Sequence, residues 1–233
     1  MNSCPPHTPN PHSILILCDF DGTINTVDIG HLLLREFVVS GWKKLNRELI
    51  EGHIGSKEFY TRIAPLLAGT KKEMENFIFT HSRIDPHFPD FLRLCKERGW
   101  TVKIISDGFD FYIHALLRSH RIQGIEIFAN HAVFSSGKGI TFSFPYHNQE
   151  CGNCGNCKLQ ILRKLRDSYH TIVYVGDGIS DRCAIQGADL IFAKKELFSY
   201  CMREEIDCVR YRNFKSIKKH LASLTQSALN PKE

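Results

Sequence analysis

No stretch of the 233-residue chain stays apolar for long. Its longest uncharged apolar run, Ile14 to Cys18, is far short of the roughly 20 residues a membrane-spanning helix needs. The first twelve residues carry Pro5, Pro6, Pro9 and Pro11 and lack the basic-then-apolar pattern of an export signal, so 1–12 read as a disordered lead-in. On that reading the chain is expected in the cytoplasm, where its nine cysteines would stay reduced, and an odd count argues against a full disulfide framework. There is no internal repeat and no low-complexity tract. The net charge of +5 is spread over scattered Lys and Arg, which gives no reason to expect a nucleic-acid partner and suits small anionic substrates. The twelve histidines show no His-x-x-x-His spacing. What is present is an ordinary globular composition, long enough for one α/β domain plus a modest insertion.

Ser13–Cys18, Thr101–Ile105, Thr171–Val175 and Asp189–Ala193 are short, mostly apolar runs of the kind that form strands buried on both faces of a parallel sheet. Helical stretches separate them. Phe88–Arg98 has Pro89 near its start and Gly99 just past its end. Lys158–Asp167 sets Leu159, Ile161, Leu162 and Leu165 on one stripe. The alternation predicts a Rossmann-like, doubly wound parallel α/β sheet, with 13–27 and 83–233 as its core. Residues 28–82 contain no strand pattern. Trp42, Leu45, Leu49 and Ile50, then Phe59, Ile63, Leu66 and Leu67, recur at helical spacing, and Thr70-x-x-Glu73 is a capping box. A helical insertion after the first strand is expected there. Ile125–Phe144 reads as a strand and a hairpin turning at 135–139.

The carboxylates fall where strands end. Asp19 and Asp21 follow the first run, Ser106 and Asp107 the second, and Asp177 and Asp181 the third. Open α/β sheets bind ligands beyond the carboxyl ends of their strands, so these residues are expected around one crevice. Two like charges about 4 Å apart repel by roughly 4 kcal/mol at an effective dielectric near 20. A hard divalent cation offsets that repulsion, and Mg²⁺ is the usual one where phosphoryl groups are handled. Lys158, opening a helix, supplies a second positive charge. Each piece alone is commonly a turn or cap; the three in order, each after its own strand, point to phosphoryl chemistry.

Asp19-Phe20-Asp21-Gly22-Thr23, Ser106-Asp107-Gly108, Lys158 and Gly176-Asp177-Gly178-Ile179-Ser180-Asp181 resemble the four motifs of the haloacid dehalogenase superfamily of phosphatases. The resemblance covers most of the chain from Ile14 onward, cap included. It implies a Mg²⁺-dependent hydrolase of a small phosphorylated metabolite, with Asp19 as nucleophile, Asp21 as general acid and base, and Lys158 as charge neutraliser. Gly22, Thr23, Ser106, Asp107 and Gly108 would bind the substrate, with Ser106 and the N–H groups around Gly22 and Gly108 on its phosphate, and Asp19, Asp21, Asp177 and Asp181 would hold the metal. The C-terminal run Asp189–Ala193 through Asn213-Phe214 is similar to the methionine-salvage branch, which dephosphorylates 2-hydroxy-3-keto-5-methylthiopentenyl 1-phosphate. Ile127–Phe134 and the cysteine stretch are similar to the phosphoethanolamine/phosphocholine phosphatases. The cap placement is similar to the phosphoserine phosphatases, in which an acidic substrate-binding residue stands where Asp28 lies. A phosphotransferase and a catalytically dead binding relative are the competing classes; the second should lack one of the key residues, and none is missing.

Cys151-x-x-Cys154-x-x-Cys157 directly precedes Lys158. Three thiolates with His147 could form a structural zinc site. Reduced thiols in a Gly/Asn-rich loop, or a disulfide formed under oxidising conditions, are the alternatives. An iron–sulfur run would need a further cysteine, and none occurs over 158–182.

Overall fold

The computed structural model of the protein describes residues 13–135 and 139–224; the proline-rich residues 1–12 and the hairpin tip at 136–138 lie outside them. Its frame is a mostly parallel seven-stranded sheet, in the order β4-β3-β2-β1-β5-β6-β7, with flanking helices. The contacts separate two compact units. Among the described residues no helix is long and apolar enough to cross a membrane.

The first unit draws on Met1–Cys18, Asp85–Lys103 and Leu159–Glu233. In it β1 (Ile14–Cys18) pairs in parallel with β5 (Thr171–Gly176), from Ile14↔Thr171 to Cys18↔Val175. β5 pairs with β6 (Leu190–Ala193), and β6 with the short β7 (Val209–Arg210), also in parallel. Every residue of β1 and β5 is buried, which is why both runs lack polar alternation. Helix α5 (Phe88–Glu97) carries Pro89 in its first turn and gives way at Gly99, φ +68°. It packs on α9 (Phe214–Ser223) through Phe88, Phe91 and Phe214, with ring centroids 4.7 and 5.0 Å from Phe214.

The second unit comprises Asp19–Ile84 and Ile104–Lys158, so β2 (Thr101–Phe109) begins in one unit and finishes in the other. β3 (Glu126–Ser135) and β4 (Gly139–Ser143) form the expected hairpin, antiparallel from His131↔Ser143 to Ser135↔Gly139. β2 continues past Ile105, where a loop was expected, through Ser106, Asp107 and Gly108, and α6 (Asp110–Ser119) starts directly after it. Asn156 explains the extension. Its Nδ2 donates to Ser106 O at 2.7 Å and to Phe128 O at 2.8 Å, bridging β2 to β3.

Residues 28–82 fold as four helices with a 3-10 turn at Ala64–Leu66: α1 (Ile29–Phe37), α2 (Trp42–Ile50), α3 (Ser56–Ile63) and α4 (Lys71–His81). Leu34, Val38, Phe59 and Ile63 form its buried cluster, with Trp42, Leu45, Leu49 and Leu67 against it. Ile50 and Leu66, expected on the same stripes, are 61% and 38% exposed. Ile50 ends its helix one position round from Leu49, off the packed face. The two ends of the stretch are joined. Thr26 N and Oγ1 both donate to Arg83 O at 2.8 Å, and Arg83 N donates to Asn25 Oδ1 at 2.8 Å.

The capping box is present. Glu73 N donates to Thr70 Oγ1, and Thr70 N and Oγ1 donate to Glu73 Oε2. These bonds hold the Glu73 carboxyl below its ordinary value. The box is therefore intact above the ordinary carboxylate range and weakens as pH falls through the depressed folded value. Thr70→Ala removes the two hydroxyl bonds, leaving only the Thr70 N–H to Glu73 Oε2 arm, and should destabilise the protein by about 1 kcal/mol. The urea midpoint should drop at pH 7, and the gap to the parent should narrow in acid.

Candidate active site

In the second unit, Asp19 follows the last residue of β1 and is buried against Lys158, whose Nζ donates to Asp19 Oδ1 at 2.6 Å. Lys158 is the first residue of α7 (Lys158–Arg166) and is 3% exposed. A buried ion pair is retained only where charge has a purpose or strong compensation, because desolvating both ions offsets most of their attraction. Gly22, at φ +74°, turns the chain, and Asn25 N donates back to Phe20 O at 2.9 Å to close the loop. Thr23 is buried within that loop. Asp21 Oδ1 accepts from Ile29 N at 3.1 Å, and its Oδ2 accepts a short hydrogen bond from Tyr112 Oη. Burial, reinforced by the Asp21 charge, pushes the Tyr112 phenol well above its ordinary value, so it remains a donor.

Gly108 explains how Tyr112 reaches Asp21. A Cβ there would collide with the Tyr112 hydroxyl and stand 2.7 Å from Asp21 Oδ2. Ser106 is buried, and its Oγ accepts from Gly108 N at 3.0 Å. Asp107 is a junction more than an exposed ligand. Its Oδ1 accepts from Asn156 N at 2.9 Å and Asn130 Nδ2 at 3.2 Å, and Ser56 of α3 also hydrogen-bonds it. Burial raises its carboxyl above the ordinary value; the Ser56 and Asn156 bonds and the Lys158 charge pull the other way. Asp28 is the N-cap of α1, accepting from His31 N at 2.8 Å. Tyr60 of α3, like Ser56 of the same helix, lies close to this group. Burial first, then the charges of Asp107, Asp28 and Asp21, raise its phenol well above the ordinary range.

The cysteine stretch takes its order from hydrogen bonds. His147 Nδ1 is 2.8 Å from Cys154 O, Cys157 N donates to Tyr146 O at 3.0 Å, and Gly155 N donates to Ser56 Oγ at 2.9 Å. No three of Cys151, Cys154, Cys157 and His147 bring ligand atoms within 4.8 Å of one another. Cys151 is exposed and Cys157 buried. The zinc expectation is therefore not carried forward: Asn156 and Ser56 hydrogen-bond the loop that presents Lys158.

In the first unit, β5 ends at Gly176, and the buried Asp177 and Asp181 follow. Asp181 builds the turn. Its Oδ2 accepts from the N–H groups of Asp177 and Gly178, each at 3.0 Å, and its Oδ1 accepts from Tyr174 Oη at 2.6 Å. A Cβ at Gly176 would strike that carboxylate. Asp177 Oδ2 accepts from Lys195 Nζ at 2.8 Å. Burial raises the Asp177 carboxyl; the Lys195 hydrogen bond opposes the rise and the neighbouring Asp181 charge adds to it. Two buried carboxylates in one turn, both hard oxygen donors, fit a divalent cation.

The sequence reading did not single out Tyr112, Asn130, Asn156, Ser56, Tyr60 or Lys195. Only Lys195 carries a local sign, a left-handed φ of +48° in a residue with a side chain, and that is visible in the backbone alone.

The sheet, the acidic strand ends and the buried lysine are those of a phosphatase of the haloacid dehalogenase superfamily, a phosphoric monoester hydrolase. More narrowly, the model of the "Putative Phosphatase" family matches residues 14–226, and the chain belongs to that family. It is 31% identical over 207 residues to the 2-hydroxy-3-keto-5-methylthiopentenyl-1-phosphate phosphatase of Bacillus velezensis, covering 88% of each chain. The enzyme of the same name from Geobacillus kaustophilus is 33% identical over 193 residues, covering 81% of this chain and 86% of that one. Among solved structures, a phosphoserine phosphatase captured as a phospho-aspartyl intermediate analogue superposes with TM-score 0.68. The identity is 23%, and the match covers 89% of this chain and 98% of that one.

Proposed function

We propose that the chain hydrolyses a small phosphate monoester by way of a phosphorylated Asp19, and that the ester is 2-hydroxy-3-keto-5-methylthiopentenyl 1-phosphate. The observation that carries the mechanism is the buried Lys158–Asp19 pair, 2.6 Å long, at the end of β1. In the first step an Asp19 carboxylate oxygen bonds to phosphorus and the ester P–O bond breaks, while Asp21 gives its proton to the departing oxygen. In the second, Asp21 takes a proton from water, the water oxygen attacks phosphorus, and the Asp19 acyl-phosphate bond breaks to release inorganic phosphate. The Tyr112 and Ile29 hydrogen bonds hold Asp21 in place for both transfers. Ser106 Oγ, fixed by Gly108 N, can turn its proton to a phosphate oxygen, and the N–H groups around Gly22, Thr23 and Gly108 offer further donors. Lys158 offsets the charge gathered on Asp19 and the phosphoryl group.

The buried carboxylates of Asp177 and Asp181 in the turn after β5, both hard oxygen donors, support a metal site. Asp19, the Asp21 carbonyl and Asp177 would hold Mg²⁺, with Asp181 supporting the turn. The ion would supply positive charge against the carboxylates and the phosphoryl oxygens. Residues 28–82 act in this reading as the cap that selects the substrate.

The test is a panel containing the methylthiopentenyl phosphate, phosphocholine, phosphoethanolamine and phosphoserine, assayed for phosphate release. Chelation with EDTA should abolish turnover and added Mg²⁺ should restore it. The methylthiopentenyl ester should show the highest kcat/KM. A higher value for phosphocholine or phosphoserine reassigns the substrate, and EDTA-resistant turnover removes the metal.

A further inference from the structure

The second unit contains an apolar recess walled by Gly30 and Leu34 of α1, Tyr60 and Ile63 of α3, Phe109 at the end of β2 and Phe142 of β4. No polar atom is presented in its wall. Two of its residues also border the catalytic group. Phe109 directly follows Gly108, and Tyr60 feels the charges of Asp107, Asp21 and Lys158. The recess measures about 30 Å³, the room of roughly two water-sized groups.

Resting on the phosphatase reading above, we propose that this recess receives the uncharged apolar end of the substrate, a short alkyl or thioether terminus, while the phosphate sits at Asp19, Ser106 and Lys158. Phosphate esters with cationic ends fit it badly. A quaternary ammonium needs open aromatic faces around it. Here Phe109 and Phe142 stack on each other at 4.1 Å and 26°, each covering a face of the other, and Tyr60 meets Phe109 edge-on at 4.8 Å and 72°. No carboxylate lines the wall to balance an amine. The volume also suits a methylthio or ethyl end better than a trimethylammonium group.

The experiment measures kcat/KM for the parent on n-alkyl phosphates from methyl to pentyl, and on phosphocholine beside its neutral isostere, 3,3-dimethylbutyl phosphate. Efficiency should rise about fourfold for each methylene that enters the recess, and the neutral isostere should exceed phosphocholine. Gly30→Leu then fills the space. An added Cβ at Gly30 meets only Asp28 Oδ1, at 3.4 Å, so the helix accepts the change. The pentyl-to-methyl ratio should fall at least tenfold, and Leu67→Phe, at another lining position, should lower it in the same direction. Release of phosphate with no dependence on chain length, a preference for phosphocholine, or an unchanged ratio in both variants overturns the recess. Failure to release phosphate from any ester overturns the phosphatase reading, and the recess proposal with it.

Discussion

Asp19→Asn leaves a folded chain whose phosphate release is lower by roughly three orders of magnitude or more. Asparagine keeps the shape of the side chain and an oxygen to accept from Lys158 Nζ, so the strand end holds. What it lacks is a carboxylate able to bond to phosphorus. The parent pair is buried on both sides, with side chains 2% and 7% exposed, so removing the counter-charge also lowers stability. Breaking such a pair outright costs about 3–5 kcal/mol, and the surviving hydrogen bond keeps the loss below that. Circular dichroism and Mg²⁺-dependent binding of inorganic phosphate should persist while turnover of a generic aryl phosphate vanishes. Undiminished turnover would remove Asp19 from the nucleophile's role.

Gly108→Ala should lower kcat by about a hundredfold although it touches neither Asp19 nor Lys158. The methyl group would occupy the space where Tyr112 Oη meets Asp21 Oδ2, so the tyrosine must retreat or the strand must shift. Displacement of a catalytic group by about 1 Å costs on the order of a hundredfold, and overpacking a filled interior costs about 1–3 kcal/mol. The loss should fall on kcat more than on KM, since in the proposed mechanism Asp21 moves protons and does not carry the phosphate. A variant with parental kcat would show that Asp21 works without its tyrosine.

The paired strands β1 and β5 were legible because they are apolar at nearly every position. Ile14–Cys18 and Thr171–Gly176 have no solvent side, so no alternation competes with the signal. The capping box at Thr70 was legible for the opposite reason, being wholly local. The acidic motifs could be read because each lies within a few residues of its strand. Tyr112 could not. It lies 91 residues from Asp21, and aromatic residues near a strand end usually pack, so nothing in the spacing separates a ring that fills the core from one that also aims its hydroxyl at a carboxylate. Asn130 and Asn156 were hidden likewise: a buried amide joining two backbone segments has no periodicity. The cysteine stretch misled by being too legible. Its regular spacing suggested a metal, whereas the residues between the thiols, Gly155 and Asn156, make the contacts. Ser106–Gly108 was expected to leave the strand because polar residues and glycine usually do; a side chain from elsewhere in the chain keeps it extended.

Thr26 and Arg83 are hydrogen-bonded across 57 residues of sequence. The excursion therefore departs and returns through one doorway, and its length barely matters to the chain that closes it, since closure entropy grows only logarithmically with loop size. Evolution, or an engineer, can exchange everything beyond that doorway as a cassette, and on the proposed reading such an exchange changes which ester is admitted while Asp19 and Lys158 stay in place.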